Sequence, residues 1–332
     1  MDIRRVQITG GSSFTISLPK EWVRSQSIEK NSPVGLDIQS DGTLMVYPKV
    51  DSGKVERVKI FEIENFEQDL TFRMLIGAYI MGYSTIEIRS KPGIPSSVMD
   101  SAMEFTQRAI GPEIIEESEN RVIIKDLLNP SKMPFEKTLE RMYIIVRYMH
   151  NDTVSSIVND MPNLVEDISS RDREVDRLNW LMAHQYNIIN SSNLSHSMNI
   201  SREKAEFYFV AGRIVERIGD HAVQISKNSE LFRLDDNTKE LKDSISSASN
   251  FAIEMFDRSM NAWYNRDIKS ANDTVESSDR LWKYCEKVDQ LSLEFDRDVA
   301  IAIGRIADSI RRTGDYSTDI SENVINYLIR DL

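Results

Sequence analysis

Two carboxylate pairs at helical spacing are the residues of this 332-residue chain best suited to chemistry. Asp172 and Asp176 stand four apart in DREVDRL, and Glu216 and Asp220 repeat the interval in VERIGDHAVQISKN. On a helix that interval puts both side chains on one face, about one turn apart. Like charges so placed repel unless a cation lies between them, and carboxylate oxygens suit hard or borderline cations. At about 100° per residue, Glu216 and Asp220 lie nearly opposite the apolar stripe Phe207, Ala211, Ile214, Ile218, Ala222 and Ile225, so an outward position is expected. Spacing alone fits two readings, a cation-holding surface and a solvated acidic face. No Glu-x-x-His occurs, which removes the di-iron carboxylate pattern. His221 is the one general acid or base near these acids, expected as a surface residue, so an enzyme is disfavoured.

The acidic stretch is duplicated. Val215–Asn228 aligns without gaps on Ile310–Asn323 (IRRTGDYSTDISEN), with six of fourteen positions identical, and DREVDRL aligns on CEKVDQL at Cys285–Leu291. The second copy differs where it matters: Cys285 replaces Asp172 and Arg311 replaces Glu216. Asp289 and Asp315 remain, and Asp319 forms a new four-apart pair with Asp315. The second cluster is expected to be weaker, displaced or absent, with Arg311 satisfying an aspartate. Both copies keep a mid-helix glycine, Gly219 and Gly314, at a cost of about 1 kcal/mol each relative to alanine. Close packing of a neighbouring helix, or of a bound group, would account for that.

These helices belong to an α+β chain of two textures. Long helical patterns run from Pro134 to the end, with Pro134–Val158 and Leu241–Tyr264 each leading a copy of the repeat. Phe135, Leu139, Met142, Val146, Met149 and Ile157 form a core stripe, Asn187–Asn199 reads as a loop, and Ser201 as an N-cap. Three helices per copy predict two three-helix bundles, at residues 131–230 and 231–332. Residues 51–130 read as a small α/β domain. It holds helices at Glu67–Met81 and Ser96–Ala109, a strand at Ser84–Ile88, and a hairpin of Glu113–Glu117 with Arg121–Lys125. Its Arg73 and Arg89 read as surface charges, and its role as scaffold. Residues 1–50 predict strands at Arg5–Thr9, Phe14–Leu18, Val34–Gln39 and Leu44–Tyr47, with a short helix opened by Pro19. Asp41–Gly42 predicts a two-residue hairpin between the last two strands. Four such strands cannot bury a core alone, so an intertwined homodimer, or a higher homo-oligomer, is expected.

Composition limits the function classes. With 41 Lys and Arg against 53 Asp and Glu, the formal charge is −12, which argues against nucleic acid wrapped along the whole chain. The first 50 residues carry +1, so a local DNA-reading patch stays open. The single cysteine excludes an intrachain disulfide and a Cys-rich zinc site. The sequence holds no apolar run long enough for a transmembrane segment, and its start lacks the apolar stretch of a signal peptide, so a cytoplasmic chain is expected. No Gly-rich loop opens a helix, so no phosphate cradle is seen.

Val6–Val23 (VQITGGSSFTISLPKEWV), followed by DGTLMVYP at Asp41–Pro48, resembles the AbrB/MazE/SpoVT swapped-hairpin family. That resemblance implies two intertwined chains offering basic residues to promoter DNA, here Arg4, Arg5, Lys20 and Arg24, or a domain that only dimerises. ERIGDHAVQIS, its paired DREVDRL helix and the weaker RRTGDYSTDIS resemble the PhoU family of phosphate-uptake regulators. The whole order of domains is similar to archaeal phosphate uptake regulators. The resemblance implies a non-enzymatic regulator that docks a phosphate ABC transporter ATPase or a phosphate-signalling protein. It also implies bundle-surface acids that hold iron, zinc or magnesium. The residues implied are Asp172, Asp176, Glu216 and Asp220, with Asp289, Asp315 and Asp319 in the second copy. Asn179 stands where the family pattern has a further acid. The alternative is a dimeric DNA-binding transcription regulator whose PhoU-like half senses an effector.

Overall fold

The computed structural model describes residues 3–38, 42–48, 56–63, 67–129, 132–191, 200–234 and 238–331. The chain divides into two compact units, Met1–Val55 and Glu56–Leu332.

The first unit holds two antiparallel hairpins, β1 (Gln7–Thr9) with β2 (Ser13–Thr15) and β3 (Gly35–Ile38) with β4 (Leu44–Tyr47). Gly10 and Gly11 turn the first at φ +65° and +86°, a region where a side chain would be strained. In the second, Ile38 pairs with Leu44 and Gly42 has φ +80°, while the two-residue hairpin expected at Asp41–Gly42 falls on Asp41, which lies outside the described residues. Pro19 caps a short helix, α1 (Lys20–Ser25). None of the residues of this unit whose burial is described is buried.

The second unit begins with a four-stranded sheet in the order β5 (Val58–Glu62), β6 (Thr85–Arg89), β8 (Arg121–Asp126), β7 (Pro112–Ser118). Sequence reading missed β5, which pairs parallel to β6; the other contacts are antiparallel. Helices α2 (Gln68–Ile80) and α3 (Ser96–Arg108) connect the strands, and Leu75, Tyr79, Val98 and Phe105 pack with Ile86, Ile88, Val122 and Ile124 as the core. Arg89 is no lone surface charge: its Nε lies 2.6 Å from the carboxylate of Glu87, which is buried.

Helices α4 (Phe135–Val158), α5 (Ile168–Ser191) and α6 (Arg202–Ser229) form the first helical copy. Every residue of the two apolar stripes read from the sequence is buried, and the Ser201 hydroxyl accepts from the Lys204 N–H, as its N-cap role requires. Helix α5 runs to Ser191, so Asn187–Ser191 are helical rather than loop, and 192–199 lie outside the described residues. Asn187 explains part of this, because its Nδ2 donates to the carbonyls of Ala183 and Ile80. His184 stacks on Tyr79 at 4.2 Å and lies 3.2 Å from Asp126 Oδ2, tying α5 to the sheet domain.

The second copy comprises α7 (Lys239–Asn265), a middle helix broken into α8 (Ile268–Val275) and α9 (Ser278–Ser292), and α10 (Arg297–Leu328). At the break the Ser277 hydroxyl donates to the Asp273 carbonyl and accepts from Arg258. The two copies share apolar contacts: Phe256, Met260, Trp263, Ile320 and Val324 join the core built on α4, α5 and α6. Asp257 accepts from Arg147 through both oxygens, at 2.8 and 3.0 Å, and from the Tyr143 hydroxyl at 2.6 Å. His150 is fully buried between Ser249 and Thr313, and burial pushes its imidazole down to about 4, so it is neutral there.

Both repeated glycines are packing sites. A Cβ on Gly219 would lie 3.2 Å from Val146, and one on Gly314 would lie 2.0 Å from Leu281 Cδ2 and 3.4 Å from Met255 Sδ. Gly77, in α2, has nothing within 4 Å. Gly77→Ala is therefore expected to raise stability by up to about 1 kcal/mol, whereas Gly314→Ala is expected to lower it by about 1–3 kcal/mol. Urea denaturation of both variants checks the opposite signs.

Candidate functional site

Helix α6 is in contact with α4, α5 and α10, so its acids cannot all face open water. Glu216 is half-buried against α5, where Asp172 and Asp176 are also half-buried, while Asp220 is exposed at the rim. The outward position expected for the Glu216 face is thus only half realised, because α5 covers it. The four acids act on one another. Burial first, then Asp220 and Asp176, push the Glu216 carboxyl up to about 7. Burial, then Asp172 and Asp220, push Asp176 up to about 6. Asp172 is raised by burial and by Asp220, and Asp220 by burial against the opposing charges of His221, Arg217 and Lys227. The nearest ion pair to the set is Arg108 Nη2 to Asp176 Oδ2, at 3.8 Å.

Four hard oxygen donors raising one another's affinity for protons fit a cation chemically. In this conformation, however, no three His, Cys, Asp or Glu side chains among the described residues converge closely enough to hold a metal ion. Asn179 supplies no charge: its Oδ1 is buried without a hydrogen-bond partner. His221 is not a plain surface residue. It is half-buried toward α10, its ring 5.7 Å from that of Tyr316, and burial lowers its affinity for protons against the charges of Asp308 and Asp220.

The second cluster is built differently. Cys285, Asp289, Asp308 and Arg311 line a cleft of about 130 Å³ beside Trp282. Arg311 does satisfy an aspartate, but the partner is Asp308 on its own helix, a residue that sequence reading missed despite its i,i+3 spacing to Arg311. Burial raises Asp289 while Arg311 opposes the rise, and burial pushes the Cys285 thiol up to about 12. Asp315 lies 3.8 Å from Arg312, and Asp319 is exposed, raised by burial and by Glu322. The second set therefore carries its own positive charge; among the described residues, no ion pair joins the first set to a cation of its own helices.

In the first unit Arg4, Arg5, Lys20 and Arg24 are all exposed, Lys20 and Arg24 at the two ends of α1. Ile8 pairs with Phe14 across β1 and β2, and Leu36 with Val46 and Ile38 with Leu44 across β3 and β4. The exposures are high, 75% for Phe14 and 77% for Ile38. Both hairpins thus leave large apolar side chains exposed.

Comparison with known proteins separates the same two parts. The family described as PhoU domain matches residues 139–229 and 245–324, and the family described as antidote-toxin recognition MazE, bacterial antitoxin, matches 7–54. A Deinococcus radiodurans protein described as uncharacterized is 24% identical over 148 residues, 42% of this chain and 54% of its own; the chain spans about half the length of that relative. The crystal structure of PhoU from Pseudomonas aeruginosa superposes with a TM-score of 0.51 at 16% identity, over 60% of this chain and 96% of that one. That of the phosphate transport system regulatory protein PhoU from Streptococcus pneumoniae gives 0.50 at 12%, over 60% and 94%. These likenesses establish the helical fold.

A carboxyl held above its unfolded value favours folding most below the ordinary carboxylate range, and that contribution is lost as pH rises through the raised value. Chelator-treated protein is therefore expected to lose thermal stability from about pH 4 to about pH 7, and Glu216→Gln to lose less. A Tm series against pH on both proteins checks this, and equal slopes contradict it.

Proposed function

The chain belongs to the PhoU family, and from that premise we propose that it is a regulator of phosphate uptake that works by docking rather than by catalysis, from the cytoplasm. The observation that carries the reading is the half-buried acid cluster on the first of two tandem PhoU-matched helical copies. A surface of this charge suits a basic face on an ATPase of a phosphate ABC transporter, or on a phosphate-signalling protein. No helix among the described residues is long and apolar enough to cross a membrane, so a membrane transporter would be met as a partner. Asp172, Asp176, Glu216 and Asp220 would hold a cation such as iron, zinc or magnesium. Bound there, it would supply the positive charge that the cluster lacks. Affinity capture with the purified transporter ATPase tests the docking. Wild type is expected to be retained and Asp172→Asn/Asp220→Asn retained less; equal retention of both contradicts a role for the cluster. Elemental analysis of natively purified protein is expected to find metal in wild type and less in Asp176→Ala/Asp220→Ala. Unchanged stoichiometry discards these ligands.

The first unit supports the homodimer. Burying a large apolar side chain contributes about 1.5–3 kcal/mol, and association costs about 4–15 kcal/mol. Ile8, Phe14, Leu36, Ile38 and Leu44 from each of two chains would offset that cost. Phe14→Glu/Ile38→Glu is expected to yield monomers in light scattering, where retention of the dimer would place the interface elsewhere.

A second reading is favoured by the exposure of all four basic residues on that unit. In it, the dimer is a DNA-binding transcription regulator with the PhoU half as its sensor. It requires salt-sensitive binding to a palindromic promoter duplex, lost in Arg4→Ala/Lys20→Ala. Equal affinity for random DNA contradicts it.

A further inference from the structure

We propose that His184, Asp126 and Tyr79 form a proton-dependent latch between the sheet domain and the first helical copy. It is closed while one proton lies between the ring and the carboxylate, and it slackens in alkali as that proton leaves. His184, on α5, is fully buried, and Asp126, which ends β8, and Tyr79, in α2, are buried with it. The imidazole lies on the Tyr79 ring at 4.2 Å, with the two planes 6° apart. Its Nδ1 is 2.5 Å from the Tyr79 carbonyl oxygen, and its Nε2 is 3.2 Å from Asp126 Oδ2. The other carboxylate oxygen, Asp126 Oδ1, accepts from the Leu128 N–H at 2.9 Å. The Tyr79 hydroxyl donates to the Ile110 carbonyl at 2.9 Å, and burial, then Asp126, push it far above its ordinary range, so it stays neutral. Arg177, about two turns earlier on α5, is the remaining charge that acts on Tyr79, and its Nη1 is held by Glu174 at 3.2 Å. Among the described residues no hydrogen bond or ion pair joins His184 to α4 or α6.

The number of protons follows from the acceptors. A carbonyl oxygen can only accept, so Nδ1 carries a hydrogen. Nε2 and Oδ2 then share a hydrogen bond only if one further proton lies between them. In water an imidazole holds a proton in preference to a carboxylate, the Leu128 N–H favours the ionised form of Asp126, and an aromatic face attracts a cation. The pair is therefore an imidazolium and a carboxylate, without net charge and with both ring N–H groups used. Once that proton is gone, the ring turns a lone pair toward a buried carboxylate that has lost its counter-charge, which costs more than a missing bond. When α5 parts from the sheet, both groups meet water, where an exposed histidine is neutral above about pH 6.5. Opening there releases one proton, so each further pH unit favours it by up to about tenfold. Two other fastenings of α5 carry no titrating group: Asn187 Nδ2 donates to the Ile80 carbonyl at 2.9 Å, and the Trp180 and Phe72 rings meet at 6.4 Å. Loss of the proton thus slackens the junction without separating the domains.

The test follows amide hydrogen exchange of the full-length protein from about pH 7.5 to about pH 9.5, with rates corrected for the intrinsic pH dependence of exchange. Amides of α2, β8 and the part of α5 around His184 are expected to lose protection by up to about tenfold per pH unit, while those of α10 keep theirs. Asp126→Asn is expected to fold and to abolish that slope. Its side-chain amide can donate to a neutral Nε2 while its carbonyl oxygen still accepts from the Leu128 N–H. His184→Gln, which cannot hold the proton, is also expected to show no slope, with lower protection at every pH. In wild type at about pH 7.5 the His184 imidazole 15N resonances, assigned by their loss in His184→Gln, are expected to show two protonated nitrogens, against one in Asp126→Asn. Equal slopes in wild type and both variants, or a single protonated nitrogen in wild type, overturn the latch.

Discussion

Helix α6 is enclosed by α4, α5 and α10, and of its four-apart acid pair it brings Glu216 to the edge of that enclosure while Asp220 stays exposed. The apolar side of the helix leaves no choice of orientation, since Phe207, Ala211, Ile218, Ala222 and Ile225 are all buried. Gly219 lets Val146 of α4 approach to 3.2 Å from where a Cβ would lie, tighter than an ordinary contact. Glu216 is then brought under the edge of α5, against Asp172 and Asp176. Desolvation and mutual repulsion follow from that placement and make the cluster a place where positive charge is stabilising. Arg108 of the sheet domain brings positive charge to 3.8 Å from Asp176.

Duplication followed by divergence accounts for the contrast between the two clusters. The packing device is retained, because Gly314 meets Leu281 and Met255 much as Gly219 meets Val146 and Val175. The electrostatics are not retained. A guanidinium at 311 and a buried thiol at 285 replace two anionic positions, and Arg311 is engaged by Asp308 within its own helix. One copy thus carries a positive charge on its own helix, and the other meets one from the sheet domain, Arg108 at 3.8 Å from Asp176. His150 and the Arg147–Asp257 pair join the copies, so the two differently charged surfaces belong to one packed helical body.

The first unit obeys a different constraint. Its strands are too short and too few to enclose anything, and no described residue in it with a known burial is buried. Its apolar cross-strand pairs, Ile8 with Phe14 and Ile38 with Leu44, lie open on both hairpins. In the dimer proposed above, covering those pairs would link the folding of this unit to association.

Much of this was legible in the residues themselves. The three-four stripes of α4 and α6, the capping role of Ser201, the paired glycines and the duplication follow from local periodicity, and local periodicity survives in the folded helices. The loop expected from Asn187 is helical as far as Ser191, because the anchoring of Asn187 on Ile80 is not written in local residue preferences. Strand β5 was missed because its partner β6 lies beyond a whole helix. Spacing determined that Asp172, Asp176, Glu216 and Asp220 would form two same-face pairs. Only the tertiary structure decided that the pairs come near enough to act on one another's charge, that Glu216 is half-buried, and that Arg108 reaches Asp176. Charges act through space, and the distance between residues 108 and 176 along the chain says nothing of the 3.8 Å that separates them when folded.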